Sequence, residues 1–195
     1  LKPGEIILSK KDYPNLFEHI DVKLYHKYLI HVWTPRVADY SILMSCTKVK
    51  PYRKSITHKM MISYINKLSK KGCSIQLYSI SEPMIIVPYE YEHVYPLAHY
   101  DFPPEFLSED EKELMVKMLS RVLPKIFRAT RYEVIAILPR HHRNIFEQTL
   151  SELNGREENN INRIKVIAYG RYAFKTLRQV YNYLTIKCSE IKKFD

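Results

Sequence analysis

Several motifs that are common in enzymes are missing from this sequence. It has only 4 glycines in 195 residues, and none of them lies in a GxGxxG or Walker-type loop. The turns that cradle phosphate in nucleotide-dependent enzymes therefore have no counterpart here. A GxSxG motif and the paired HxE and PCxxC motifs are also absent, which leaves serine-hydrolase and zinc-deaminase chemistry without its usual parts.

Cysteine is scarce, and long apolar runs are lacking. Cys46, Cys73 and Cys188 form no CxxC pair and stand at no zinc-finger spacing to histidine, which argues for a reducing compartment and against a structural metal. No apolar run approaches the ~20 residues that span a bilayer, and the first residues contain no signal-peptide core. We therefore expect a cytoplasmic protein with no membrane partner, no metal and no cofactor of its own.

Acidic residues are the minority among the charges. The chain has 31 Lys and Arg against 21 Asp and Glu, a net charge of +10. An excess of this size makes a polyanion such as RNA the first partner to consider. A basic surface that serves solubility alone is the alternative.

The hydrophobic pattern predicts an α/β fold. Apolar runs of strand length occur at 40–46, 73–80, 83–87, 132–138 and 164–170. The last two are continuous, as is typical of parallel strands covered on both faces. Helical patterns occur at 15–33, 55–71, 108–123, 142–153 and 171–184, and a polar loop is expected at 154–163.

This alternation of strands and helices predicts a three-layer α/β/α sandwich with a mainly parallel central sheet. We expect one domain, 1–195, with a helical segment at about 1–35 and an α/β core at about 36–188. In such sheets, ligands bind where loops leave the carboxyl ends of the strands. The loops that begin at Cys46, Pro88, Pro139 and Gly170 are expected there.

The first of these loops gathers reactive and cationic groups in the stretch SCTKVKPYRKSITH. Cys46 lies near two lysines and a helix start, which would favour the thiolate, although a lone cysteine is more often a small buried hydrophobe. Lys50 and Arg53 would either bind phosphate or lie in solvent. Tyr52 could stack on a planar base or only shape the turn, and His58 could be an acid or base or a surface histidine.

Two later loops also carry candidate ligands. The Pro- and Tyr-rich stretch 88–104 combines carboxylates with tyrosines, which suits a heterocycle and an amine, unless it is a crossover packed by its own side chains. The stretch LPRHHRN at 138–144 could hold phosphate through Arg140, His141 and Arg143 or could be a basic helix start.

The first loop resembles the signature C-x3-KPY-x2-S-x2-H of the archaeosine synthase family, a relative of tRNA-guanine transglycosylase. Cys46, Lys50, Ser55 and His58 fall on its positions, while Ser45 stands where the family has proline. The segment VPYEYEHVYPLAHYDFP at 87–103 is similar to a second segment of the family. With the flanking elements, the resemblance covers about residues 40 to 185.

The resemblance implies a fold like that of uracil-DNA glycosylase. It also implies transfer of L-lysine to the nitrile of 7-cyano-7-deazaguanine in the tRNA D-loop, after which a radical-SAM lyase, with its own iron–sulfur cluster and SAM, leaves archaeosine. Full-length relatives carry a transglycosylase-like part and a PUA domain. We expect neither in this chain, so a separate PUA-domain subunit is a further candidate partner.

Residue roles follow as hypotheses. The catalytic candidates are Cys46, Lys50, Ser55, His58 and Asp101. The substrate-binding candidates are Pro51, Tyr52, Glu90, Glu92, Tyr95 and Tyr100, and the tRNA phosphate candidates are Lys48, Arg53, Lys54, Arg140 and Arg143.

In the covalent version of the mechanism, Cys46 adds to the nitrile to give a thioimidate that an amine of lysine displaces. His58 or Asp101 would move protons, and Lys50 would stabilise the developing charge. Glu90 or Glu92 would bind the cationic end of lysine.

Two other functions stay open at this point. A non-catalytic RNA-binding subunit of the same machinery would need only the charge and the aromatics. A nucleobase glycosylase usually has Asp or Asn where this chain has Lys50, and a His-Pro-Ser loop where it has Pro139-Arg140-His141, so both positions weigh against base excision.

Overall fold

A computed structural model describes residues 2–154 and 161–191, and its centre is a five-stranded sheet. The strands are β1 (Leu8–Ser9), β2 (Ala38–Ser45), β3 (Ile75–Ser81), β4 (Ile85–Pro88), β5 (Tyr100–Asp101), β6 (Thr130–Leu138) and β7 (Ile164–Ala168). The helices are α1 (Ile20–His31), α2 (Ile56–Ser69), α3 (Glu109–Ala129), α4 (Arg140–Leu153) and α5 (Ala173–Ile191).

The sheet has the order β4-β3-β2-β6-β7. Strands β3, β2, β6 and β7 are parallel, and β4 runs antiparallel to β3. Strands β1 and β5 form a separate parallel pair that ties the N-terminal segment to the loop before α3. The predicted α/β class is confirmed, whereas the likeness to uracil-DNA glycosylase stays a prediction.

Helices cover both faces of the sheet. In β2, Leu43 faces the core that includes α1, α3 and α4, while Ile42 and Met44 face the core that includes α2 and α5. This alternation is the period of two that a strand imposes on its side chains. Because both faces are covered, β2 is buried along its whole length.

Two of the predicted helices begin at side chains that cap their first backbone N–H groups. The Ser55 hydroxyl accepts a hydrogen bond from the N–H of His58 at the start of α2. Ser108 and Glu111 form a reciprocal capping box at the start of α3. The caps at both positions are confirmed, and α2 ends just before Gly72, which has a φ of 83°.

Several predicted bounds and one predicted burial differ from the structure. The helices expected at 108–123 and 171–184 extend further, as α3 and α5. The helix expected at 15–33 is divided into a 3-10 turn, Leu16–Glu18, and α1. His19 between them is non-helical, and its ring Nδ1 accepts a hydrogen bond from the N–H of Asp21 at the start of α1. β7 is only half-buried because it lies at the edge of the sheet. The loop expected at 154–163 lies largely outside the described residues, and its end forms the 3-10 turn Ile161–Arg163.

The loop after Pro88 does not leave the sheet at the expected end. Since β4 turns back beside β3, Pro88 lies opposite Tyr78, within β3, rather than beyond its carboxyl end. A short apolar strand in a hairpin cannot be told from a parallel strand by composition. The chain returns to the carboxyl end only at Tyr100–Asp101.

Cys73 and Cys188 form a disulfide that links the residues before β3 to α5 across a sequence separation of 115. This pairing runs against the reducing compartment inferred from the number and spacing of the cysteines. Spacing along the chain gives no information about which cysteines meet in the fold. Cys46 is the remaining free cysteine.

Among the described residues, none of the helices combines the length and apolar character that crossing a membrane requires.

Candidate functional site

A cleft of about 700 Å³ lies at the carboxyl ends of the parallel strands. After β2, the chain forms β3 along one edge of β2, and it later returns to form β6 along the opposite edge of β2. A reversal of this kind opens a crevice between the loops that leave the two central strands. The cleft is lined by Lys11, Ser45, Cys46, Thr47, Lys48, Lys50, Tyr100, Asp101, Phe102, Pro103, Pro104, Glu105, Phe106, Pro139, His141, His142 and Tyr169.

Three side chains with different chemistry meet at this cleft, and we call Cys46, Glu82 and His142 the donor cluster. Cys46 Sγ lies 3.8 Å from Glu82 Oε2 and 3.8 Å from His142 Nε2. His142 Nε2 lies 3.1 Å from the same Glu82 oxygen. The three donor atoms therefore form a compact triangle.

The sheet explains why the donor cluster forms. Cys46 follows β2, and its N–H donates a hydrogen bond to the carbonyl of Ile80 in β3. Glu82 is the first residue after β3, and His142 lies in the first turn of α4, directly after β6. Since β3, β2 and β6 are adjacent parallel strands, their carboxyl ends bring the three side chains together.

Burial and neighbouring charges shift the pKa values of Glu82 and His142 in the donor cluster. The Glu82 side chain is fully buried, and its second carboxylate oxygen lies 2.7 Å from His141 Nε2. Burial alone would raise the pKa of Glu82, but the two histidines hold it below its usual range. Burial likewise opposes the charge on His142, yet Glu82 and Cys46 raise its pKa to about 10.

Lys50 forms one wall of the cleft. Its Nζ lies 4.1 Å from the centroid of the Tyr100 ring. Burial lowers the pKa of Lys50, and nearby Cys46, Asp101 and Glu82 act against that shift. Lys50 is therefore a cation held in an apolar setting beside the donor cluster.

The other residues of the KPY signature support this loop from inside the protein. Tyr52 is buried and is hydrogen-bonded with Tyr100 and Ser81. His58 Nε2 lies 3.1 Å from the carbonyl oxygen of Ser45. Burial lowers the pKa of His58 to about 4, although the contact with Ser45 opposes the shift. His58 is therefore an uncharged ring, and its contact with the Ser45 carbonyl positions the residue before Cys46.

Ser55 has a similar position, because its hydroxyl is engaged in the cap of α2. Pro51, Tyr52, Ser55 and His58 are all buried and are not among the residues that line the cleft. The structure therefore keeps the signature together but brings only its cysteine and lysine to the cleft.

Several predicted substrate-binding residues lie away from the cleft. Glu92 is buried and pairs with Arg53, which also stacks on Tyr89. The Tyr95 hydroxyl donates a hydrogen bond to Asp21 at 2.5 Å. Glu90 is not among the lining residues either. The hairpin at β4 carries these residues away, and the loop returns to the cleft only at its end, where residues 100–104 line it.

The cations predicted to bind phosphate divide into free and paired groups. Lys48, Lys54 and Arg140 are exposed, and Lys48 lines the cleft. Arg53 pairs with Glu92, and Arg143 Nε lies 3.8 Å from Glu147. The free positions are the stronger candidates for contacts with a polyanion.

Sequence reasoning missed Glu82 and the role of His142. A carboxylate between two strand-like runs is the signal that could have identified Glu82, because a position that joins two buried strands favours burial. His142 lies beside His141 and two arginines, in a stretch for which the sequence left open phosphate binding or a basic helix start. Tyr169 was also missed; its hydroxyl lies 2.6 Å from Ser45 Oγ at the cleft.

Comparisons with known proteins agree with the signature. The chain is 31% identical over 121 residues to archaeosine synthase subunit alpha of Thermoplasma acidophilum, covering 61% of this chain and 22% of that protein. It is 28% identical over 144 residues to the Methanosarcina acetivorans subunit alpha, covering 73% and 22%. Archaeosine synthase of Haloferax volcanii is 31% identical over 85 residues, covering 43% and 14%. The chain thus spans about a fifth of the length of the first two relatives.

A crystal structure of AF0587, a protein of unknown function, has a similar fold. It superimposes with a TM-score of 0.51 at 20% identity, covering 80% of this chain and 49% of that one. At this identity the likeness concerns the fold alone.

Residues 22–168 match the family described as a domain of unknown function, DUF5591, and the chain belongs to that family. Together with the three curated relatives, this makes it an archaeosine synthase-related protein.

Proposed function

We propose that this chain acts in tRNA modification and adds an amine of L-lysine to the nitrile of 7-cyano-7-deazaguanine in the tRNA D-loop. The observation that carries the proposal is the donor cluster beside Lys50 in a cleft of about 700 Å³. That volume lies in the range of pockets that bury a small ligand. The names of the relatives support a role in archaeosine formation, and lysine transfer is what the resemblance of the KPY signature implies.

The rim of the cleft suits a planar base. Phe106 is half-exposed at the cleft, and Tyr169 and Pro139 also line it. Bases stack on aromatic side chains independently of their hydrogen-bonding edges. A base turned out of the tRNA could therefore lie against these side chains with its nitrile toward the donor cluster.

The second substrate carries ammonium groups, and two carboxylates of the cleft can receive one of them. Asp101 and Glu105 line the cleft, whereas Glu92 pairs with Arg53. We therefore assign the cationic end of lysine to Asp101 and Glu105 in place of Glu90 and Glu92. The amine that attacks would point toward the donor cluster.

The reaction needs no external energy source. A neutral amine of lysine forms a bond to the nitrile carbon, one C–N π bond breaks, and the proton lost by the amine ends on the nitrile nitrogen. Negative charge develops on that nitrogen during the step. Lys50 is positioned to stabilise this charge, because a cation acts most strongly where water is excluded.

Contacts with the tRNA backbone would come from the free cations Lys48, Lys54 and Arg140. We also propose two protein partners. One is a radical-SAM lyase that consumes the lysine adduct, and the other is a separate PUA-domain subunit that increases the affinity for RNA. The net charge of +10 supports a nucleic-acid partner.

The test is mass spectrometry of tRNA that carries the 7-cyano base after incubation with this protein and isotopically labelled lysine. An adduct with this protein alone supports the proposal, and an adduct only with a partner makes the chain one part of a split enzyme. tRNA without the cyano base is the control. If no mixture gives an adduct while the protein still binds tRNA, the non-catalytic RNA-binding role replaces the enzyme; release of uracil from DNA would instead indicate a glycosylase.

A further inference from the structure

We propose that Cys46, Glu82 and His142 bind a divalent metal ion of the zinc class, with a fourth coordination position open to the cleft. Metal binding does not depend on the proposed function. Only the role of the metal in lysine transfer rests on it.

The geometry of the donor cluster fits three corners of a tetrahedron. Zinc bonds of about 2.0–2.3 Å to nitrogen, oxygen and sulfur give distances between ligand atoms of roughly 3.3–3.6 Å in a tetrahedral site. The observed separations are 3.8, 3.8 and 3.1 Å. Small side-chain rotations would place one ion at bonding distance from all three atoms.

The charge of the donor cluster also favours a cation at its centre. A thiolate and a carboxylate would face each other across 3.8 Å, and Glu82 is fully buried. Buried charges of one sign need a counter-charge close by. A divalent ion between thiolate, carboxylate and neutral imidazole would give a net charge of zero by direct bonds to both anions. Without the ion, a proton on His142 and the nearby Lys50 would have to compensate the two anions.

The donor types select the class of metal. A thiolate with an imidazole favours zinc over magnesium or calcium, which prefer oxygen ligands. His141 lies 2.7 Å from the second oxygen of Glu82. A hydrogen bond to the outer oxygen of a ligating carboxylate is typical of metal sites, because it fixes the orientation of the ligand.

The open position faces the cleft. Cys46 and His142 both line the cleft, and Cys46 is only half-buried. Three protein ligands with one exchangeable position are the arrangement of catalytic zinc sites. A nitrile nitrogen is a lone-pair donor that such a position accepts, so the metal would polarise the nitrile as a Lewis acid.

This assignment changes the expected role of Cys46. As a metal ligand the sulfur is not free to form a thioimidate, so lysine would add directly to the polarised nitrile. The C–N bond forms on the nitrile carbon, and the proton released by the amine passes to the nitrile nitrogen. The covalent and the metal-assisted routes can therefore be separated by measuring metal binding.

The experiment begins with protein that has been treated with a chelator and dialysed. Isothermal titration with Zn²⁺ is expected to give one site, and Co²⁺ is expected to produce a thiolate-to-cobalt absorption band in the near ultraviolet. Cys46→Ser should abolish that band. Glu82→Gln and His142→Asn should weaken Zn²⁺ binding by more than about 100-fold, since each removes a direct ligand.

Two control variants separate this site from weak binding to surface histidines. His141→Asn removes only the contact behind Glu82 and should weaken binding by about 10–100-fold. His93→Asn changes an exposed histidine outside the cleft and should leave binding unchanged.

A second measurement covers the case in which the variants fail to fold. Cys46 is the free cysteine of the wild-type chain, so its alkylation by iodoacetamide can be followed directly. Bound Zn²⁺ should slow alkylation by at least about tenfold, because a coordinated sulfur is a poorer nucleophile than a free thiolate.

The proposal is overturned if wild-type protein gives no stoichiometric Zn²⁺ or Co²⁺ site and Zn²⁺ does not protect Cys46. Zinc binding without any lysine adduct would support the metal site and count against the proposed function. Full lysine transfer by metal-free protein would remove the catalytic role of the metal and return Cys46 to the covalent route.

Discussion

Cys46 Sγ lies 3.8 Å from His142 Nε2, although 96 residues separate the two in the chain. The contact exists because β2 and β6 are neighbours in the sheet and both end at the cleft. Between them the chain forms α2, the β3–β4 hairpin and α3. The order of the strands therefore brings the donor cluster together, although Cys46 itself lies in a local sequence signature.

His58 should make the protein sensitive to moderate acid. Its pKa is about 4 in the folded protein, because burial disfavours the charged ring, and about 6.5 in the unfolded chain. The unfolded state therefore binds a proton first, and the free energy of unfolding should fall by up to about 3 kcal/mol as pH decreases from 6.5 to 4. Urea unfolding of wild type and His58→Gln at a series of pH values checks this.

The variant should lose most of that pH-dependent decrease. His31→Gln, at an exposed position on α1, should retain it and serves as the control. Equal slopes for wild type and His58→Gln would mean that another group causes the acid sensitivity.

The Cys73–Cys188 disulfide should contribute about 2–5 kcal/mol to the free energy of unfolding, because it closes a long loop in the unfolded chain. The double variant Cys73→Ser/Cys188→Ser should unfold at correspondingly lower denaturant concentration. Thiol titration of denatured, unreduced wild type should find one reactive thiol, that of Cys46. Three thiols would contradict the pairing, and Cys46→Ser is the matched control because it leaves the disulfide in place.

Removing the charge of Asp101 should change the KM for lysine, whereas removing the charge of Glu92 should change the stability of the fold. Asp101→Asn is expected to raise the KM for lysine by roughly tenfold with little change in stability, since the carboxylate lines the cleft. Glu92→Gln should leave that KM unchanged but lower the free energy of unfolding by about 1–3 kcal/mol, because it leaves Arg53 without its buried partner. Steady-state kinetics and urea unfolding of both variants measure the two effects, and a raised KM in Glu92→Gln would restore the role first expected for it.

Lys48 and Arg140 should contribute to tRNA affinity through counterion release. Each phosphate contact that is lost should reduce the slope of log Kobs against log salt by about 0.7–0.9. The double variant Lys48→Ala/Arg140→Ala should therefore give a shallower slope in filter binding or fluorescence anisotropy. Lys117→Ala/Arg121→Ala removes the same two charge types from the exposed face of α3 and should leave the slope unchanged. Equal losses in the two variants would indicate a diffuse effect of net charge.

Features that depend on neighbouring residues could be predicted from the sequence. The capping box at Ser108, the cap at Ser55 and the apolar runs of β2 and β6 all depend on contacts within a few residues or on side-chain period. The position of the loop after Pro88 could not be predicted, because a four-residue apolar strand fits either direction. The same uncertainty misplaced Glu90 and Glu92, which β4 carries away from the cleft.

In the candidate site, too, the residues of a local motif could be predicted and those brought together by strand pairing could not. Cys46 and Lys50 could be found because they lie in one continuous signature. Glu82 and His142 could not be assigned to the same site, because their approach to Cys46 depends on the pairing of β3, β2 and β6. The Cys73–Cys188 pair escaped sequence reasoning for the same reason.

The disulfide is attached at the end of the sheet that lies opposite the cleft. Cys73 precedes the amino end of β3, whereas the cleft lies at the carboxyl ends of the strands. A covalent crosslink restricts local unfolding most strongly near its own ends. Amide hydrogens around Cys73 and Cys188 should therefore exchange more slowly than those of the loops at the rim of the cleft, which lie at the other end of the strands.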